Sequence, residues 1–165
     1  VLWHRARMWL WIGLTLNLVF AAFLPIAATQ ASRWTIGDQD RLLMRRYVGQ
    51  AEMSARILDE ARARGVTAVV SGNRHLLADL FHKAKGSGIA IYAEPVAGRP
   101  PHFYAQRHPY PAGRSAPYLY ATLDATPPCG SALPVATWRP GPGIYAGNTL
   151  HLYLLHDNCW TGDRQ

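Results

Sequence analysis

The chain has 165 residues, enough for one modest domain with an appendage. Apolar residues make up 49% and charged residues only 16%, which excludes a disordered, charge-solvated chain. The net charge is +7, with a sequence pI near 9.9. Lys occurs only at 83 and 85, and the densest basic pair is Arg45-Arg46. A nucleic-acid binder clusters such charge on one element, so the spread argues against nucleic acid as a partner.

In chain order, the first element is an apolar run from Met8 to Ala28. No Asp, Glu, Lys or Arg occurs between Met8 and Ser32. A bilayer core of about 30 Å takes about 20 such residues as a helix. Thr15 and Asn17 are its polar intruders. Trp3, Trp9 and Trp11 stand at its N-terminal end, where an aromatic belt lies. His4, Arg5 and Arg7 flank that end and only Arg33 lies close on the other, which favours a cytoplasmic N-terminus and a domain facing the periplasm or cell exterior. A cleavable signal peptide ending near Ala31 is the main alternative and puts the domain on the same side. A buried core helix of this length without charge is disfavoured. The expected division is residues 1–32 as membrane helix and residues 33–165 as an extracytoplasmic domain. The initial Val suits either a non-AUG start or a fragment of a longer protein.

Asp38 to Arg64 is predicted as one amphipathic helix, from Leu43, Tyr47, Ala51, Ser54, Leu58 and Ala61 at helical spacing. Asp38 or Asp40 caps it, Gly65 ends it, and Glu52 with Arg56 forms an i, i+4 pair on its solvated face. Val66 to Ser71 is a short buried strand and Gly72-Asn73 a turn. Arg74 to Lys85 is a second helix, stopped by Gly86-Ser87-Gly88, and Ile89 to Tyr92 a second strand. This β-α-β unit requires parallel strands. It resembles half of a nucleotide-binding fold. Its first turn, Ser71-Gly72-Asn73-Arg74, carries neither Gly-x-Gly-x-x-Gly nor a Walker loop.

Glu94 to Arg114, rich in Pro, Gly and His, is predicted as a loop with an edge strand at His102 to Gln106. Further strands are expected at Pro117 to Leu123, Ala132 to Trp138 and Thr149 to His156, interrupted by Pro127-Pro128 and by Arg139-Pro140-Gly141-Pro142-Gly143. The fold class is therefore α/β: one N-terminal transmembrane helix followed by a small domain with a β-α-β unit and further strands.

Candidate chemistry is sparse. His75 and His82 share a helix face two turns apart, and His151 and His156 have opposite parity on a strand, so no metal site is predicted. Ser71-Gly72 and Gly130-Ser131 do not complete a nucleophile elbow. Asp79 lies mid-helix within reach of Arg74 or His82, with a plain surface carboxylate as the alternative. Arg99, on an exposed loop, contacts an anionic headgroup or is simply solvated. Cys129 and Cys159 either pair in an oxidising compartment, adding about 3–4 kcal/mol in the chain-entropy model, or are unrelated thiols. No catalytic residue and no cofactor site is assigned.

Several short strings carry a family resemblance: Gly72-Asn73-Arg74 through Ala78-Asp79-Leu80-Phe81, Ile91-Tyr92-Ala93, Gly98-Arg99-Pro100 and His102-Phe103-Tyr104. Over residues 8 to 125 the chain resembles the C-terminal extracytoplasmic region of bacterial polytopic (GT-C type) glycosyltransferases. These are the protein O-mannosyltransferase-like enzymes, related to the lipid A aminoarabinose transferases, that use polyprenyl-phosphate sugars. The resemblance implies a last transmembrane helix followed by a periplasmic α/β domain. The family's catalytic acid lies in a first outer loop with no counterpart here, so no catalytic position carries over. It further implies an inner-membrane location, the lipid bilayer as a partner, and a polyprenyl-phosphate-sugar reached only through a missing membrane core. A free-standing, single-pass or secreted periplasmic binding module is the second expectation, and a small independent hydrolase the third.

Overall fold

The computed structural model describes residues 2–30, 33, 35–36, 41–42, 45, 48–114, 116–126 and 133–156. The chain divides into two compact units, Val1–Val48 and Gly49–Gln165.

The first unit contains helix α1 (Leu2–Thr29) and a two-residue antiparallel ladder, β1 (Thr35–Ile36) with β2 (Arg41–Leu42). Within α1, Ala6–Thr29 is long and apolar enough to cross a membrane, with a mean hydropathy of 2.0. Side chains all around it, among them Trp9, Leu10, Leu18 and Phe20, are exposed, which is how a helix solvated by lipid is built. Its polar side chains turn back on their own backbone. Asn17 Nδ2 donates to the Gly13 carbonyl at 2.8 Å, and Thr29 Oγ1 donates to the Ile26 carbonyl at 2.8 Å. Such local bonds lower the cost of placing these groups in hydrocarbon.

The second unit is a mixed five-stranded sheet with helices. Its elements are α2 (Gln50–Ala63), β3 (Ala68–Ser71), α3 (Arg74–Lys83), β4 (Ala90–Ala93), α4 (Phe103–Arg107), β5 (Tyr118–Thr122), β6 (Ala136–Trp138) and β7 (Leu150–Leu155). The strand order is β4-β3-β5-β7-β6. β3 runs parallel to both β4 and β5, as the β-α-β reading required, while β7 is antiparallel to β5 and β6.

Two sequence expectations are corrected. The long helix does not run from Asp38: α2 starts at Gln50, because Gly49 takes φ 87°, a left-handed conformation that interrupts a right-handed helix. Its C-terminus is as expected at Gly65, which sits at φ 66°. There the Gly65 N–H donates to the Arg62 carbonyl and the Val66 N–H to the Ala61 carbonyl, the paired bonds of a Schellman motif. The second correction is His102 to Gln106, a helical turn rather than an edge strand. His102 Nδ1 accepts from the Ala105 N–H at 3.1 Å, capping α4. Tyr104 then stacks on Phe81 of α3, with ring centroids 5.1 Å apart.

The expected Glu52–Arg56 pair is replaced by Arg62–Asp59 and Arg64–Glu60, while Arg56 lies 5.0 Å from the Trp138 ring centroid. These exposed pairs contribute little stability.

Both faces of the sheet are buried. On one, Met53, Ile57 and Ala61 of α2 and Leu76, Leu77 and Leu80 of α3 pack on Val69, Ile91, Leu119 and Leu152. On the other, Tyr118, Tyr120 and Tyr153 lie with Val70, Leu155 and Tyr110. Tyr118 to Leu123 therefore alternates between two cores rather than between core and solvent. The tyrosine ends are satisfied at the rim: Tyr153 donates to the Ala125 carbonyl at 2.9 Å, and Arg114 donates to Tyr92 at 3.0 Å and to Thr67 at 3.1 Å.

Candidate functional site

The chain leaves β3 through α3 on the helical face and returns as β4. It then reaches β5 by way of Tyr110, which packs on the opposite face. The two connections diverge between β3 and β5. Open sheets bind ligands at such a switch point, beyond the carboxyl ends of the parallel strands. A cleft of about 470 Å³ lies there.

Each strand end delivers one part of it. Gly72 and Asn73 follow β3, Glu94 follows β4, Thr122 ends β5 with Asp124 just beyond, and Asn148 stands just ahead of β7. Tyr120, one turn of pleat deeper in β5, donates its hydroxyl to Glu94 Oε2 at 2.7 Å. The Glu94 N–H donates to the Ser71 carbonyl at 3.0 Å, continuing the β3–β4 ladder and placing the carboxylate at its rim.

Gly72 leaves room for that carboxylate. A Cβ on residue 72 would lie 2.6 Å from Glu94 Oε2, inside van der Waals contact. Asn73 is the cap of α3: its Oδ1 accepts from the His75 N–H at 2.9 Å and the Leu76 N–H at 3.3 Å. Ser71 Oγ accepts from the Asn73 N–H, which sets the turn. Two amides of the α3 N-terminus, those of His75 and Leu76, are thus already engaged by Asn73. Among the described residues no Lys, Arg or His lines the cleft, whereas Glu94 and Asp124 do.

A second polar feature lies inside the helical core. Tyr145 is buried, and its hydroxyl has no hydrogen-bond partner among the described residues; the same holds for Asp79 Oδ2. Burial, with the Asp79 carboxylate adding to it, pushes the Tyr145 pKa up to about 12. Neither expected partner of Asp79, Arg74 or His82, bonds to it among the described residues.

Arg99 lies on the exposed loop between β4 and α4, apart from the cleft lining. Cys129 and Cys159 lie outside the described residues. Among the described residues no three His, Cys, Asp or Glu side chains converge as a metal site. The sequence alone marks Gly72-Asn73 as a turn and as part of a resemblance string, and it does not single out Glu94, Tyr120, Asp124 or Asn148 for chemistry. The available sign was position: Glu94 directly follows a predicted parallel strand, where such folds place their ligand groups.

The chain is similar in sequence to a glycosyltransferase. It is 32% identical over 150 residues to the lipid A galacturonosyltransferase RgtD of Rhizobium johnstonii, a match covering 90% of this chain and 31% of that relative. The chain thus spans about a third of the length of the curated relative it matches. No family model and no solved structure matches it. A match that leaves only a tenth of the chain uncovered takes in the C-terminal half of α1 together with the cleft-bearing strands β3, β4 and β5. This relationship supports a glycosyltransferase-related origin and, with the apolar α1, membrane association.

Proposed function

We propose that this chain supplies a membrane helix and an extracytoplasmic domain to a glycosyltransferase of the inner membrane that uses polyprenyl-phosphate-linked sugars. The observation carrying this reading is a single similarity that runs from α1 through the cleft-bearing domain to a glycosyltransferase. Transfer chemistry is assigned to membrane segments other than α1. The domain's part is to shape the acceptor side, and the relative's acceptor, lipid A, makes a glycolipid the acceptor class proposed. His4, Arg5 and Arg7 in the first turns of α1, ahead of its apolar run, orient the domain outward. In that compartment Cys129 and Cys159 pair as a disulfide, and Arg99 meets an anionic headgroup.

The test is the DNA for about 1.5 kilobases upstream of the Val1 codon, an allowance for a dozen or so membrane spans of about 20 residues and their loops. A frame, continuous or singly frameshifted, that encodes many apolar spans with acidic residues in its first outer loop is the expected result. An unrelated or non-coding region overturns the proposal. The polar cleft then favours the second reading, a free-standing membrane-tethered or secreted binding module.

A further inference from the structure

We propose that α4 and the loop before it dock on the bilayer surface, with Val96 and Phe103 entering the lipid interface and Arg99 and Arg107 meeting anionic lipid headgroups. This extends the headgroup contact of Arg99 to a docking surface. It rests on α1 lying in a membrane and not on glycosyl transfer.

Outside α1, the large apolar side chains exposed among the described residues are Val96, Phe103 and Leu133, and the first two fall on the connection from β4 through α4. Phe103 is 60% exposed although the same short helix buries Ala105. The reason is geometric. Residues 103 and 107 are four apart and share one face of α4, while residue 105 lies on the other. Packing Ala105 into the core therefore turns Phe103 and Arg107 outward together. The Phe103 ring is braced there. It meets Tyr104 edge-on at 5.7 Å and His108 at 6.4 Å, and those two rings pack on Phe81 of α3 at 5.1 Å and 4.7 Å. An aromatic ring beside arginines is the composition of interfacial segments, with the ring at headgroup depth and the guanidinium reaching phosphate.

The charge fits the same occupant. No Asp or Glu occurs from Pro95 to Leu123, whereas Arg99, Arg107 and Arg114 do. Arg114 is engaged with Tyr92 and Thr67. Arg99 and Arg107 are exposed and make no hydrogen bond or ion pair among the described residues. Headgroup phosphates accept from guanidinium groups in paired, charge-assisted bonds. Residues 30–49 join α1 to α2, a span of at most about 70 Å when fully extended. With α1 in lipid, this tether holds the domain at high local concentration beside the bilayer, so a small docking surface suffices.

The experiment places the photocrosslinker p-benzoylphenylalanine at position 103 of the full chain, in nanodiscs of phosphatidylglycerol or of phosphatidylcholine. Mass spectrometry after irradiation reads lipid adducts on the peptides. A lipid adduct at 103 is expected in phosphatidylglycerol discs, at least about fivefold above that in phosphatidylcholine discs. The same excess is expected over a crosslinker at Arg139, an exposed residue just past β6 on the opposite edge of the sheet from β4. Arg99→Ser with Arg107→Ser should lower the adduct at 103 by at least about fivefold in phosphatidylglycerol discs. Both arginines are exposed, so their replacement leaves the core intact. Val96, also exposed, takes the crosslinker if the chain substituted at 103 fails to fold. In a chain retained by the discs, four results each overturn the docking and leave α1 in the membrane: no adduct, equal adduct in the two lipids, equal adduct at 139, or adduct unchanged without the arginines. A chain that does not stay with the discs overturns the membrane placement of α1, and the docking with it. Neither outcome bears on glycosyl transfer, which the upstream DNA tests separately.

Discussion

The Tyr120 hydroxyl donates to Glu94 Oε2 at 2.7 Å, joining β5 to the residue that follows β4 across the intervening strand β3. Tyr120 is buried and Glu94 half-buried, so the bond lies at the floor of the cleft and not on open surface. Hydrogen bonds to charged groups contribute about 1.5–3 kcal/mol when well buried. Tyr120→Phe is expected to cost about 1–2 kcal/mol, given the partial exposure of Glu94. Urea denaturation checks this as a lower midpoint at unchanged m-value.

Gly72→Ala should act through the same carboxylate. The new methyl would sit where Glu94 Oε2 lies, and that atom ends a flexible side chain that can swing away. A cost of about 1 kcal/mol is expected, typical for a displaced contact without a backbone clash. Once Glu94 has moved, the Tyr120 bond is already lost. The double variant Gly72→Ala, Tyr120→Phe should therefore be less destabilised than the sum of its singles. Strict additivity in a double-mutant cycle would show that the two residues do not share this carboxylate.

Asn73→Ala removes a cap that serves two amides of α3, His75 and Leu76. The expected loss is about 1 kcal/mol, with Asn73→Asp or Asn73→Ser recovering most of it. Thermal melts of the three variants rank them directly. Equal stability of Asn73→Ala and wild type would mean that α3 is held by Leu76, Leu77 and Leu80 alone.

Tyr145 sets an alkaline limit. Its pKa is pushed from 10.0 to about 12, first by burial and then by the Asp79 carboxylate. Burial likewise raises Tyr153, and raises Tyr110 against the opposing effect of Arg114. A group whose folded pKa lies above its unfolded value holds its proton more tightly when folded. Its contribution is fully present below pH about 10 and is lost as the pH rises towards 12. Tyr145→Phe should flatten the fall in stability across that window. At neutral pH it should be neutral or slightly stabilising, because the buried hydroxyl has no partner among the described residues. A pH series of denaturation midpoints on both proteins tests the sign.

Where the local pattern was ambiguous, tertiary contacts decided. Leu43, Tyr47, Ala51 and Ser54 keep helical spacing across Gly49, yet that residue's left-handed φ starts α2 at Gln50. Spacing alone cannot tell whether a glycine continues a helix or stops it. His102-Phe103-Tyr104 is aromatic and strand-like in propensity. The ring nitrogen of His102 and the stack of Tyr104 on Phe81 instead make it a helical turn.

The sequence by itself determined the apolar helix, because an uncharged run from Met8 to Ser32 leaves few alternatives to a hydrocarbon environment. It also determined the alternation of β3, α3 and β4, since apolar spacing and glycine stops are local properties, and the handedness of such units then makes the strands parallel. Only the tertiary structure decided that β5 pairs with β3, that β7 runs antiparallel beside it, and that Tyr118, Tyr120 and Tyr153 fill a second core. It alone brought Gly72, Glu94, Tyr120, Asp124 and Asn148 to one cleft. Those residues belong to separate strand ends, and periodicity, which reports only on neighbours within one element, carries no information about which ends meet.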